Sequence, residues 1–285
     1  MIDKAYVEIT NVCNLSCSFC AGHKRDPRRL SPDEFAIILS RLDRRVKYLY
    51  LHLMGEPLTH PELDKLLSLA DTHDFKIMLT TNGTLLEKKQ DTLLSCSKLY
   101  KISISLHSFE GSDKDRDSLD NYLDSCFDFA EKSSQKGIIT VFRLWNEGGE
   151  DRLNAHILDK LHSRFQGEWT KNRSGEKIAD KLFLEWGEKF EWPSEDARCE
   201  AHEVFCYALR DQFGILSDGT VVPCCLDHDG VLALGNIFES TLDEILNSER
   251  ARRIYNGFTR RRAAEEYCLS CKRPNTYNIN KADGE

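Results

Sequence analysis

The stretch Ala5-Tyr6-Val7-Glu8-Ile9-Thr10-Asn11-Val12-Cys13-Asn14-Leu15-Ser16-Cys17-Ser18-Phe19-Cys20 opens as an apolar, strand-like run and closes on three cysteines spaced C-x3-C-x2-C. Soft thiolates suit iron–sulfur chemistry, and three of them within eight residues can hold three irons of a [4Fe–4S] cube. The fourth iron is then left open to a small molecule. A zinc site completed by His23 is the alternative that the same triplet allows. Placed directly after a strand, such a loop belongs where parallel α/β folds collect their reactive groups, at the C-terminal ends of the strands.

Outward from that loop, strand and helix patterns alternate. Ser31-Pro32-Asp33-Glu34 has the form of a capping box with proline at the first helical position. Phe35, Ile38, Leu39 and Leu42 follow at helical spacing. Further strands are expected at 48–53, 76–81, 101–106 and 138–144, with a shorter one at 182–185. The helices between them are marked by Leu63, Leu66, Leu67 and Ala70, by a short stretch at 86–94, by the 119–130 stripe, and by Ile157, Leu158, Leu161 and Phe165. Cys126 lies on the 119–130 stripe and reads as core. Repeated strand–helix units with short loops imply a parallel sheet with right-handed crossovers. Six units fall short of an eightfold barrel, so the expectation is α/β, a partial (β/α)6 TIM-like barrel over residues 1–190 with a small C-terminal iron–sulfur domain over 191–285. The polar stretch 166–181 reads as a loop or linker.

Composition narrows the function. No stretch approaches a membrane span, the chain enters its first strand without a secretory signal, and a cytoplasmic location is expected. Eleven cysteines in a reducing compartment argue for metal binding over disulfides. The net charge of −8 leaves no broad footprint for nucleic acid. Lys24, Arg25, Arg28 and Arg29 form a local basic patch that is either solvated or able to hold an anionic substrate or a reductase such as flavodoxin.

With the cysteine triplet, Phe19 beside its last member, and Met54-Gly55-Glu56-Pro57 one unit later, the chain resembles the radical S-adenosylmethionine (SAM) superfamily from about Ala5 to Cys271. The resemblance implies that the open iron binds the amino and carboxylate groups of SAM and that Phe19 sits by the adenine. It places Gly55, Glu56 and Pro57 at the methionyl ammonium, Asn82 near the sugar, and Ser105 and Arg143 at the carboxylate or ribose. Reductive cleavage to a 5′-deoxyadenosyl radical and hydrogen abstraction from substrate would follow, with a flavodoxin- or ferredoxin-type reductant. Cys206-x12-Gly219-x4-Cys224 and Cys268-x2-Cys271 resemble the twitch form of the SPASM domain, implying one auxiliary [4Fe–4S] cluster; four-thiolate zinc satisfies the same spacing. Cys225 adjoins Cys224, Cys199 is a fallback ligand, and Cys96 has no partner pattern.

Among polar residues expected near the barrel mouth, Glu8, Tyr50, His52, His107, Trp145, Asn146, Glu185 and Trp186, the catalytic candidates are His107 and Glu8. Period-two alternation puts Tyr6, Glu8 and Thr10 on one face of the first strand and Ser103, Ser105 and His107 on one face of the fourth, and either face could point into the lumen. A buried histidine bonded to a carbonyl is the alternative for His107. Because the chain reaches its first strand at once, a small polar substrate is the main expectation, with maturation of a ribosomally made peptide as the alternative. A non-catalytic iron–sulfur electron carrier would not need the ordered SAM elements.

Overall fold

The fold was read from a computed structural model, described over residues 2–112, 118–172, 174–189, 191–194 and 203–271. Cys199 lies outside the described residues. Five strand–helix steps and a sixth strand run along the chain as β1 (Lys4–Val7), α1 (Pro32–Leu42), β2 (Tyr48–Tyr50), α2 (Leu63–Asp71), β3 (Lys76–Thr81), α3 (Leu86–Ser95), β4 (Leu99–Ser105), α4 (Leu119–Gln135), β5 (Ile139–Glu147), α5 (Asn154–Arg164) and β8 (Leu182–Glu188). The expected capping box is present: Ser31 Oγ accepts from Glu34 N–H at 3.2 Å, and Glu34 Oε2 accepts from Ser31 N–H at 2.9 Å. Strands β1, β2, β3, β4, β5 and β8 pair in parallel in that order, which makes the partial (β/α)6 barrel.

Two additions were not legible in the periodicity. The stretch 166–181 forms β6 (Thr170–Asn172) and β7 (Gly175–Ala179), an antiparallel pair on the edge of β8, in place of the expected loop. All three residues of β6 are exposed, so no alternation of apolar and polar residues signals the strand. At the other edge, β9 (Gln212–Ile215) pairs in parallel with β1, followed by antiparallel β10 (Thr220–Val222) and β11 (Gly235–Asn236). A Cβ at Gly214 of β9 would lie 2.8 Å from both Leu53 Cδ1 and Val222 Cγ2, so the close approach needs glycine. Helices α6 (Leu242–Leu246), α7 (Glu249–Thr259) and α8 (Glu266–Leu269) complete the C-terminal part.

The two faces of the sheet divide cleanly. Ala5, Val7, Leu49, Leu51, Ile102, Ile104, Phe142 and Leu144 are buried in the hydrophobic core. The alternate residues Tyr6, Tyr50, Thr80, Lys101, Arg143 and Glu185 turn to the lumen and are only partly buried. Cys126 is fully buried in the core, and Cys96 donates to Asp71 Oδ1 at 3.3 Å.

Candidate active site

Each parallel strand delivers part of the site at its C-terminal end. After β1, the loop to α1 carries Cys13 and Cys20 exposed and Cys17 half-buried. Burial raises the Cys13 and Cys17 thiols, Cys17 to about 12, and the neighbouring thiols add to it: Cys20 raises Cys13, and Cys13 and Cys20 both raise Cys17. A metal that displaces three protons relieves that mutual repulsion, so the donor set fits an iron–sulfur cube. His23 does not complete a zinc shell, since its ring nitrogens each lie 3.0 Å from a backbone carbonyl, of Arg25 and of Asn11. Cys17 Sγ donates to Ser108 O at 3.6 Å and Ser18 N–H to Gly111 O at 2.8 Å, fastening the loop to the end of β4.

The turn after β2 presses against the same loop. Gly55 has φ +74°, and a Cβ there would lie 2.5 Å from Thr10 O, so only glycine lets the two backbones meet. Glu56, 2% exposed, accepts from Leu58 N–H at 3.0 Å, Thr81 Oγ1–H at 2.8 Å and Asn82 N–H at 2.7 Å. Burial still outweighs those bonds and lifts its carboxyl to about 7. Pro57 starts a short 3-10 turn over Pro57–Thr59 behind it. Asn82, after β3, donates to Asn14 Oδ1 at 3.0 Å and lies 4.0 Å from Cys13 Sγ, while half-buried Tyr122 donates its hydroxyl to Asn82 O at 2.8 Å. Thr81 and Tyr122 were not singled out in the sequence: each sits on an apolar element, and only the tertiary fold aims its hydroxyl at the turn.

Ser105 closes β4 in register with Arg143 of β5. Arg143 donates to Thr80 Oγ1 at 3.3 Å, stacks 4.3 Å over Trp145 and lies 3.4 Å from Glu185. His52 is within 3.2 Å of Thr80 Oγ1, and burial followed by the Arg143 charge drops it to about 3, so it is a neutral ring. Tyr6 and Tyr50 stack at 4.4 Å beside it. His107, 7% exposed, has Nδ1 3.1 Å from Arg143 O and its ring 4.9 Å from that of Phe19; burial lowers it to about 4.

Two residues expected at the mouth are placed elsewhere. Trp186 has the opposite phase on β8 and is exposed, and Asn146 is bonded to Asn154 and to Glu150 O beside α5. Glu8 faces the lumen side but both its oxygens are occupied, by Arg25, Ser217 and Met54. Of the basic patch, Arg25 turns inward to pair with Glu8 and Arg28 bonds Glu34 and Ser217 O, while Lys24 and Arg29 are exposed.

The C-terminal cysteines come from three separate segments. Cys206, Cys224, Cys225 and Cys271 line a cavity of about 370 Å³ that reaches Lys4 and Tyr6 of β1. Burial raises the thiols of Cys206, to about 11, and of Cys224 and Cys268; Cys206 further raises both Cys224 and Cys268. Gly219, with φ +87°, makes the β9–β10 turn, where a Cβ would lie 2.4 Å from the Phe238 ring. Tyr267 donates its hydroxyl to Leu226 O at 3.2 Å, closing the C-x2-C segment over the Cys224 loop. Half-buried thiols that raise one another, most of them lining one cavity, are a donor set whose chemistry fits a cluster with a complete protein shell.

Comparison with known proteins follows the same two parts. Residues 7–151 match the family model for the radical SAM superfamily, and residues 206–272 that for SPASM, an iron–sulfur cluster-binding domain. The mycofactocin maturase MftC of Mycobacterium tuberculosis is 31% identical over 102 residues, covering 35% of this chain and 26% of MftC. The match thus spans about a quarter of that relative's length. The sporulation killing factor maturation protein SkfB of Bacillus subtilis is 24% identical over 270 residues, 84% of this chain and 63% of SkfB. Among solved structures, Streptococcus suis SuiB bound to precursor peptide SuiA superposes with a TM-score of 0.54 at 16% identity, over 95% of this chain and 70% of SuiB.

Proposed function

This chain belongs to the radical SAM superfamily and carries a SPASM domain, and from that premise we propose that it matures a peptide by abstracting a hydrogen atom from it. One observation carries the choice of substrate: the SkfB match runs over 84% of the chain, through both the barrel and the C-terminal domain, and SkfB and MftC are both maturation proteins. SuiB, of the same fold, has been seen with a precursor peptide. These relatives favour the peptide over the small polar substrate.

Bound together, a [4Fe–4S] cluster and SAM supply reductive C5′–S cleavage and a 5′-deoxyadenosyl radical. The chain's own residues hold and shield. In this reading Cys13, Cys17 and Cys20 are the cluster ligands. Gly55, Glu56 and Pro57 receive the methionyl ammonium of SAM, Asn82 lies near its sugar, Ser105 and Arg143 take its carboxylate or ribose, and Phe19 sits by the adenine. His107 is the side chain assigned to the substrate: a neutral ring with Nδ1 held at the β5 backbone can offer Nε2 to a peptide group without titrating near neutral pH. Cys206, Cys224, Cys268 and Cys271 form the auxiliary shell. The division at 190/191 separates barrel from auxiliary domain, and a cytoplasmic flavodoxin- or ferredoxin-type carrier supplies the electron.

The test uses reconstituted protein, SAM and dithionite under anaerobic conditions, with short peptides encoded beside the gene. Deuterium passing from a labelled peptide into 5′-deoxyadenosine supports maturation. Transfer only from a labelled metabolite extract, with none from peptides, returns the small-molecule reading.

A further inference from the structure

We infer that Glu8 and Arg25 are a positioning pair through which the auxiliary-cluster loop sets the geometry of the SAM-binding turn. Glu8 is 0% exposed, and an isolated ionised carboxylate at such depth is expensive. Here it accepts five hydrogen bonds. Arg25 grips both oxygens, Nη1 to Oε1 and Nη2 to Oε2, each at 2.7 Å. Ser217 adds N–H at 3.1 Å and Oγ–H at 2.9 Å to Oε1, and Met54 N–H reaches Oε2 at 3.2 Å.

The origin of these donors carries the argument. Arg25 lies in the loop that bears Cys13, Cys17 and Cys20. Met54 directly precedes Gly55 in the turn assigned to the SAM ammonium. Ser217 stands between β9 and β10, seven residues before Cys224. Arg25 also donates Nε–H to His228 O at 2.8 Å, on the far side of Cys224 and Cys225. Two parallel bonds reinforce the join, Arg28 Nε–H to Ser217 O at 2.6 Å and Lys24 N–H to Asp229 Oδ1 at 2.8 Å. The carboxylate therefore joins the N-terminal cysteine loop, the SAM turn and the β9–β10 turn, and through Arg25 and His228 the pair reaches the loop that follows β10 and carries Cys224. A bidentate guanidinium–carboxylate pair fixes orientation as well as distance. Burial of an ion pair gains little stability over apolar packing, so its value here is that it specifies one arrangement. If Ser217 and His228 move, Arg25 and then Met54 must move with them. Coupling of this kind is reciprocal.

The inference rests on the reading that both cysteine sets hold clusters, and its test needs no peptide. Full-length reconstituted protein is compared as wild type, Glu8→Gln, Ser217→Ala and Cys268→Ser/Cys271→Ser, by iron content, amide exchange and the paramagnetic resonance of the reduced N-terminal cluster with and without SAM. Wild-type iron for two clusters establishes the premise separately. In Glu8→Gln, exchange should rise together, by about tenfold or more, in residues 23–28, 53–56 and 217–229, while α4 stays protected. The change that SAM makes in the cluster signal should broaden or shrink although iron is retained. Removing the auxiliary cluster should loosen 23–28 and 53–56 from the other side. Ser217→Ala keeps the pair intact and should give the same pattern at about two- to fivefold, which preserves the test if Glu8→Gln fails to fold. A rise confined to 217–229, or an unchanged 53–56 segment after auxiliary-cluster loss, overturns the inference.

Discussion

The two cysteine sites differ in how they are made. The N-terminal one takes three thiols from eight consecutive residues of one loop, two of them exposed, at the mouth of the barrel. The C-terminal one draws on residues as far apart as Cys206 and Cys271 and lines a cavity against β1. A short loop can present ligands on one side only, which suits a site that must admit a second molecule. A site assembled from distant segments closes around its contents and ties those segments together. Openness and closure thus follow from contact range before any particular metal is considered.

The largest effect expected from this contrast is at the open site. Alanine at Cys13, Cys17 and Cys20 together should abolish 5′-deoxyadenosine formation with SAM and dithionite, measured chromatographically, and leave about four of roughly eight irons in place. Loss of all iron would break the independence of the two sites. Serine at Cys268 and Cys271 should do the reverse. Deoxyadenosine formation should fall only several-fold, while the thermal midpoint drops by about 5 °C or more, as loss of a cross-link between distant segments implies. An undiminished midpoint would deny the closed site its role as a tie.

Glu56 gives a third, smaller effect. Its folded-state carboxyl, raised to about 7 by burial, binds a proton more tightly than in the unfolded chain. Its contribution to stability should therefore be fully present below the ordinary glutamate range and be lost as pH rises from about 4.5 to 7, by something on the order of 3 kcal/mol. Glu56→Gln should flatten that decline in denaturant titrations at pH 5 and pH 7.5. An equal slope in both proteins would show that Glu56 is ordinary in the folded state. The smallest effect separates neighbours in the closed site: Cys224→Ser should cost more auxiliary iron than Cys225→Ser, and the opposite order would move the ligand to Cys225.

How far the sequence could be read depended on the same distinction of range. The triplet, the capping box at Ser31, the Gly55 turn and the alternation of strands β1 to β5 are local patterns, and the structure places them where local rules put them. The alternation left open which face was inner, and the fold settles this, with Tyr6, Tyr50 and Arg143 turned inward. The hairpin of β6 and β7 was missed because an exposed edge strand has no apolar period. Ser217 and His228, the distant members of the Glu8 junction, were invisible for a related reason: a lone serine and a backbone carbonyl acquire meaning only when the chain returns across 209 positions to Glu8. Arg25 read as part of a surface patch because charge in a sequence does not show which way it faces.

The parallel pairing of β9 with β1 has a consequence for solubility. A barrel left open between its first and last strands presents β1 as an unpaired parallel edge, its amides and carbonyls available to any passing strand. In this chain β9 covers that edge along Lys4 to Val7, and β10 and β11 extend the cover by antiparallel pairing. The auxiliary domain is thereby also an edge guard. A barrel cut away from it would lose its protection against sticking to its own copies as well as a set of cluster ligands, and chains whose last third is still unfolded share that exposure until the final strands arrive.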